Sequence, residues 1–158
     1  MGNRIEVLRS SIDKLVGAES QGGSWFVESH LFAVSNFAAM IALKRGLDPE
    51  IATMIGLLHD IHTLLTGDPE NHAKQGSILA RKILGGLDIV TDDERDAICT
   101  AIRNHSKKRT IHDAYSELAK DADVLSHYFY NTTLPVFEKD QARLEALREE
   151  FELFPEGV

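Results

Sequence analysis

Apolar residues recur along this chain at intervals of three and four positions, a spacing that places them on one face of an α-helix. No segment shows the sustained alternation of apolar and polar residues that is typical of a half-buried strand. Capping signals divide the pattern: Gly46 ends one helix, Asp48-Pro49 begins the next, and Thr91 forms a capping box with Glu94. We therefore predict helices over about residues 3–16, 24–45, 49 to the loop near 66, 70–84, 91–105, 113–130 and 135–152.

The length and composition of the chain indicate one globular domain. A chain of 158 residues can bury a core without help from disulfides or a structural metal. Its hydrophobic content of 43% and charged content of 27% are ordinary for a globular protein, and we find no internal repeat or second-domain linker. The prediction is an all-α, single-domain bundle of about six to seven helices spanning residues 1–158.

Charge, cysteine content and hydropathy exclude several classes of protein. The formal net charge of −8 argues against binding to a nucleic acid polymer, which usually needs a basic face. No segment approaches the roughly 18 apolar residues of a membrane span, and the first residues lack a signal-peptide core, so we expect a cytoplasmic protein. The single cysteine, Cys99, rules out an internal disulfide, and its apolar neighbours predict a buried, inert thiol.

Four of the seven histidines fall on apolar faces of different predicted helices. They are His30, His59, His72 and His105, and Asp123 lies in a similar apolar row. Ionisable groups are costly to bury unless they are paired, hydrogen-bonded or bound to a metal. One shared metal centre explains all of these positions together. Mixed imidazole and carboxylate ligands suit iron, manganese or zinc better than calcium.

Three sequence segments carry a resemblance to a known family. They are SHLFAVSNFAAMIA around His30, IATMIGLLHDI around His59-Asp60, and LAKDADVLSH around Asp123. Together they resemble the HD-domain superfamily, whose signature is a His, an adjacent His-Asp pair and a distant Asp. The resemblance covers about residues 28–130, and it implies an HD-type bundle followed by the C-terminal helix at about 135–152.

The resemblance also implies a set of metal ligands. His30, His59, Asp60 and Asp123 would hold one ion. His72, in ENHAKQGSILA, and His105, in AIRNHS, would join Asp60 at a second ion, so that Asp60 bridges two divalent cations. This requires a helix face wide enough for both members of the adjacent pair. Asp121 competes with Asp123 for the last position, but Ala122-Asp123 matches the family's usual dipeptide.

The chain departs from the family pattern just after the His-Asp pair. Ile61-His62-Thr63 stands where HDIG-type members have Ile-Gly and often a lysine. His62 could replace that lysine as a proton donor or support a ligand, or it could be a partly exposed residue at the end of a helix. We assign His112 and His127 to surface or packing roles, although His127 lies one turn after Asp123 and could support it.

A two-ion centre predicts a metal-dependent phosphohydrolase, because paired cations activate water and stabilise phosphoryl transfer. We find no serine or cysteine nucleophile motif and no glycine-rich phosphate loop. The expected substrate is a nucleotide or another small phosphorylated molecule, and Asp60 and His62 are the expected catalytic residues. Four cations are placed to meet its phosphates: Lys74, Lys107, Lys108 and Arg109. Each of them taken alone is better explained as a solvated surface charge, and the cluster after His105 is more informative than its members.

Two other functions remain open from the sequence. Some HD-fold proteins, such as myo-inositol oxygenase, use a similar six-ligand set as diiron oxygenases. A regulatory domain that binds a nucleotide without turning it over is the third possibility. A homodimer also stays open, although we expect the apolar side of the last helix, with Leu144, Leu147 and Phe151, to cover the protein's own core.

Overall fold

The structure, a computed structural model, describes residues 3–19 and 25–153. These residues form eight α-helices and no strand: α1 Arg4–Glu19, α2 Trp25–Arg45, α3 Pro49–Leu58, α4 Ile61–Thr66, α5 His72–Leu87, α6 Asp92–Asn104, α7 Ala114–Tyr130 and α8 Glu138–Phe151. The prediction of an all-α bundle is confirmed. None of the described helices combines the length and the apolar character needed to cross a bilayer.

The helix starts follow the capping signals in the sequence. The side chain of Asp48 accepts hydrogen bonds from the backbone N–H groups of residues 50 and 51, and so caps α3. At α6, Thr91 Oγ1 accepts from Glu94 N at 3.2 Å while Glu94 Oε2 accepts from Thr91 N at 2.8 Å, which confirms the predicted capping box. Asp113 caps α7 through Ser116 N. The predicted start of the second helix, near Ser24, lies outside the described residues.

The predicted third helix is divided in two at the His-Asp pair. Helix α3 ends at Leu58, His59 caps it, and Asp60 leaves the helical conformation (φ −113°, ψ 22°) before α4 begins. The prediction that one continuous helix carries both residues is therefore wrong. Leu58 and Ile61 are buried on either side of the break, so the apolar periodicity continues across it and gives no sign of it.

Two hydrophobic clusters fill the bundle. One contains buried residues of α1, α3, α5 and α6, and the other joins α2 and α7 to α8. Leu144 and Leu147 on α8 are buried in the second cluster, as predicted. Cys99 is buried in the first, and burial raises the pKa of its thiol, which agrees with an inert packing role.

A close helix crossing sets the position of α3 against α2. A Cβ atom added at Gly56 would lie 2.4 Å from Ser35 Cα and 2.5 Å from Ser35 N, well inside van der Waals contact with the α2 backbone. Only glycine allows this approach. Because Gly56 is one turn before His59, the crossing brings the end of α3 next to the start of α2, where His30 lies.

Candidate metal centre

Four side chains from α2, the α3–α4 break and α7 converge on one point. His30 Nε2 lies 3.1 Å from Asp123 Oδ1, 3.2 Å from His59 Nε2 and 3.8 Å from Asp60 Oδ2. His59 Nε2 lies 3.4 Å from Asp60 Oδ2 and 3.9 Å from Asp123 Oδ1. We call these four residues the inner group. His30, His59 and Asp123 are all buried.

Three side chains converge on a second point beside it. Here His72 Nε2 lies 3.2 Å from His105 Nε2, and the two nitrogens lie 3.6 and 3.4 Å from Asp60 Oδ1. We call Asp60, His72 and His105 the outer group. His72 opens α5 and His105 follows the last residue of α6, so both histidines project from helix ends.

Asp60 belongs to both groups through different oxygens. Its Oδ2 faces the inner group and its Oδ1 faces the outer group. Oδ1 is shielded from solvent and has no hydrogen-bond partner among the described residues. A buried carboxylate oxygen without a donor is destabilising unless a cation satisfies it. The helix break makes this placement possible, because the side chain of Asp60 no longer follows the helical direction set by His59.

The histidine rings are oriented by their second nitrogens. Three of them donate Nδ1–H to a backbone carbonyl three residues earlier: His59 to Gly56 at 2.8 Å, His72 to Pro69 at 2.9 Å, and His105 to Ile102 at 2.6 Å. A carbonyl oxygen only accepts, so each Nδ1 carries the proton and each Nε2 directs a lone pair to its group when the ring is neutral. His30 Nδ1 lies 2.9 Å from Ser126 Oγ.

These distances and donors fit divalent metal ions. Ligand bonds to first-row metals are about 2.0–2.2 Å long, so neighbouring ligand atoms lie roughly 3 Å apart, close to the separations in both groups. Two neutral Nε2 atoms that face each other at 3.2 Å repel unless a proton or a cation lies between them. Each group contains one such pair of Nε2 atoms. The donor set of imidazoles and carboxylates suits iron, manganese or zinc.

The electrostatics of the centre also favour a cation. Burial acts to raise the pKa of Asp60, but the imidazoles of His59 and His105 hold it well below its usual range. Burial lowers the pKa of His105. Burial would also lower the pKa of His59, but the Asp60 carboxylate outweighs it and raises that pKa. An ionised Asp60 and a neutral His105 are the forms that bind metals, and the raised pKa of His59 shows that the carboxylates beside it attract positive charge.

The far side of Asp123 is held by a buried lysine. Its Oδ2 accepts a hydrogen bond from Lys108 Nζ, and Lys108 is only 7% exposed. Burial acts to raise the pKa of Asp123, but the Lys108 ammonium holds it well below its usual range. Lys108, predicted to meet phosphates, therefore lies beneath α7 against a ligand candidate instead of at the surface.

The competitor for the last ligand position is engaged elsewhere. Asp121 accepts from Arg45 at 2.8 Å and from Arg143 at 3.0 Å, and these pairs tie α7 to α2 and α8. Asp121 appears in none of the metal-competent clusters that the described residues form, whereas Asp123 does. The geometry therefore agrees with the choice of Asp123.

A small basic cavity of about 350 Å³ opens beside the outer group. His72 lines it together with Lys74, Lys107 and Arg103. Two of these cations were predicted from the sequence, but Arg103 was not, although it lies only two residues before His105. Arg109 does not join them: its side chain is 78% exposed, and its nearest carboxylate is Glu138 at 3.9 Å.

The other three histidines occupy different positions. His62 is half-buried on α4 and belongs to none of the metal-competent clusters among the described residues. His112 packs against Lys120, with Nδ1 2.7 Å from Nζ. His127 lies nearer the centre than its predicted surface or packing role suggests. Its ring stacks on His30 at 4.8 Å, and its Nε2 lies 3.7 Å from Asp123 Oδ1.

Comparisons with known proteins agree with this geometry. Ribonuclease Y of Thermus thermophilus is 30% identical over 122 residues, which are 77% of this chain and 20% of that protein. Ribonuclease Y of Clostridium botulinum is 37% identical over 82 residues, or 51% of this chain and 15% of that protein. This chain thus spans no more than about a fifth of the length of these relatives.

A solved structure shares the fold. The crystal structure of a predicted HD superfamily hydrolase from an uncultured Thermotogales bacterium matches with a TM-score of 0.53 and 24% sequence identity, covering 96% of this chain and 88% of that one. The model of the HD domain family matches residues 27–128, more than half of the chain and all six candidate ligands. The chain therefore belongs to the HD domain family.

Proposed function

We propose that this protein is a metal-dependent phosphohydrolase that acts on a nucleotide or another small phosphoester through a two-ion centre. The observation that carries the proposal is Asp60, whose two oxygens face two separate groups of histidines while Oδ1 has no hydrogen-bond partner among the described residues. One ion would be held by His30, His59, Asp60 and Asp123, and the other by Asp60, His72 and His105. When bound, two divalent cations supply Lewis-acid activation of water and neutralise charge on a phosphoryl group.

The surroundings of the two groups indicate where the substrate enters. His30, His59 and Asp123 of the inner group are buried, whereas the outer group borders the basic cavity that Lys74, Arg103 and Lys107 line. Three cations around one opening attract an anion even on a protein whose net charge is −8. We therefore place the phosphate of the substrate at the outer group, with these side chains binding its oxygens.

His62 stays the predicted proton donor to the leaving group. It follows Asp60 by two residues and is half-buried on α4. We expect His62→Gln to lower kcat while leaving the metal content at its original value. A loss of metal in this variant would instead indicate that the ring supports a ligand.

The ribonuclease relatives support hydrolysis of a phosphoester as the reaction class. Their name describes cleavage of RNA, but this chain spans only about a fifth of their length, and its net charge is −8. A small phosphorylated substrate therefore fits this chain better, and a short oligoribonucleotide belongs among the substrates tested.

The test is a metal-supplemented activity screen. The full chain is purified without added metal, its metal content is measured by elemental analysis, and portions are reloaded with iron, manganese or zinc. Substrates are nucleotides, dinucleoside polyphosphates, cyclic dinucleotides, phosphomonoesters and a short oligoribonucleotide, with and without oxygen. We expect two ions per chain and phosphoester cleavage that does not depend on oxygen.

Three results would contradict the proposal, and each has a separate meaning. Absence of stoichiometric metal after reloading would remove the metal centre itself. Oxygen-dependent conversion of substrate would assign the chain to the diiron oxygenases. Nucleotide binding without turnover under every metal condition would assign it to the regulatory domains.

A further inference from the structure

A second and larger cavity, of about 610 Å³, borders the inner group at His30. It is bounded by α2, the C-terminal part of α7, the segment 131–137 and the start of α8. Its volume lies within the range of small-ligand sites, about 300–1,000 Å³. Five aromatic side chains line it: Phe37, Tyr128, Phe129, Tyr130 and Phe137.

The apolar lining of this cavity is open to solvent. Of the ten exposed large hydrophobic residues in the described part of the chain, four line it: Phe129, Tyr130, Leu134 and Phe137. A cluster of exposed apolar side chains is costly in free energy. Such clusters often mark ligand-binding grooves, whereas single exposed apolar residues do not. Aromatic side chains around a cavity suit a planar ring, which can stack on them.

One carboxylate lines this mostly apolar cavity. Asp140, in the first turn of α8, lines the cavity and is only 2% exposed, and its Oδ1 has no hydrogen-bond partner among the described residues. An ionised aspartate offers acceptors only, so the ligand that satisfies it must bring hydrogen-bond donors. Burial without a donor costs free energy, which a ligand of the right chemistry would recover.

The cavity and the metal centre share a wall. His30 and His127 line the cavity, while His30 Nε2 belongs to the inner group and His127 Nε2 lies 3.7 Å from Asp123 Oδ1. The cavity is therefore adjacent to the centre, and a ligand that fills it would contact the His30 and His127 rings.

We propose that this cavity binds the base of a nucleotide substrate and selects guanine through Asp140; this rests on the proposed function. The Watson–Crick edge of guanine carries two adjacent donors, N1–H and the 2-amino group, and a carboxylate can accept from both at once. Adenine and cytosine place an acceptor beside their donor, and uracil offers a single donor between two acceptors. Guanine is therefore the base whose donors match an ionised Asp140.

The test measures binding of nucleosides, which carry no phosphate, to the metal-loaded full chain by calorimetry. We expect guanosine to bind at least about tenfold more tightly than adenosine, cytidine or uridine. Asp140→Asn should weaken guanosine binding by at least about tenfold, because the amide replaces one acceptor by a donor. The matched control is Glu138→Gln, which removes a 90% exposed carboxylate from the same helical turn and should leave guanosine affinity unchanged.

Several results would overturn the inference. They are equal affinity for the four nucleosides, no saturable binding up to about 5 mM, or unchanged guanosine affinity in Asp140→Asn. If circular dichroism shows that Asp140→Asn does not fold, the order of affinities of the wild-type protein for the four nucleosides decides. Phe137→Ala is then the second variant, and it should weaken the binding of all four nucleosides. Hydrolysis of a base-free phosphoester without guanosine binding would refute this inference and leave the phosphohydrolase proposal standing.

Discussion

The inner and outer groups share Asp60 but differ in how the chain holds the rest of their ligands. In the inner group, His30 and Asp123 project from within α2 and α7, and Lys108 and Ser126 support them from behind. In the outer group, His72 and His105 project from helix ends, and the His72 side chain is 30% exposed. Metal-ligand residues within a helix are placed more accurately than those at a helix end. If both groups bind an ion, as we propose, the inner ion would be retained and the outer ion would meet the substrate.

The largest effect should come from removing the residue that the two groups share. We expect Asp60→Ala to lose both ions and to reduce turnover by about 1,000-fold or more, because each group loses a ligand and its only shared charge. Elemental analysis and kcat are the measurements, and circular dichroism should show intact helices. The control is Asp93→Ala, which removes an exposed carboxylate. Retention of both ions would show that Asp60 does not join the two groups.

The support behind the inner group is tested by Lys108→Met. In metal-free protein this change leaves a buried Asp123 oxygen without its cation, so we expect the free energy of unfolding to fall by about 3 kcal/mol. Urea unfolding with and without metal is the measurement, and the loss should be smaller in metal-loaded protein. Lys107→Met is the matched control, because Lys107 is exposed and lines the outer cavity. Equal stabilities of the two variants would remove Lys108 from its supporting role.

The difference between the groups is sharpened by comparing His72→Ala with His30→Ala. We expect His72→Ala to weaken one ion by about 100-fold while the other stays bound, since the inner group is intact. His30→Ala should lose the more tightly held ion. Titration with a competing chelator, monitored by metal release, distinguishes the two cases. Identical release curves for the two variants would contradict a retained and an exchangeable ion.

The smallest effect concerns the helix crossing that positions the inner group. We expect Gly56→Ala to reduce stability by about 2 kcal/mol, because its Cβ would overlap the α2 backbone at Ser35. Gly85→Ala is the matched control: it meets nothing within 4 Å in α5 and should be neutral or stabilising by up to about 1 kcal/mol. Chemical denaturation measures both. If Gly56→Ala were as stable as Gly85→Ala, the crossing would not constrain α3.

The sequence predicted the helices for identifiable physical reasons, and it pointed to the candidate centre through both the apolar pattern and the resemblance to the HD-domain superfamily. Caps such as Asp48 and Thr91 act locally, so their hydrogen bonds follow from residues a few positions apart. Imidazoles on apolar helix faces are rare enough to indicate a shared site, and the structure brings His30, His59, His72 and His105 together around Asp60.

What the sequence did not show depends on contacts between distant residues. Lys108 looked like part of a basic surface loop, and only the packing of α7 reveals that it is buried against Asp123. Asp140 resembles any acidic residue in a first helical turn until the aromatic cavity is assembled around it. The break at Asp60 leaves no trace in the apolar pattern. His127 differs from these residues: its position one turn after Asp123 left a supporting role open from the sequence, and its Nε2 lies 3.7 Å from Asp123 Oδ1.

The two oxygens of Asp60 have a thermodynamic consequence for metal loading. Both belong to one planar carboxylate, so an ion held at Oδ2 would restrict the rotation of the group and thereby orient Oδ1 toward His72 and His105. A second ion would then bind to a ligand whose conformational entropy has already been lost, which would make loading positively cooperative. Linkage requires the effect to be reciprocal, so each ion raises the affinity for the other by the same factor. Loss of the ion at the outer group would therefore weaken the hold of the inner group on its own ion without emptying it.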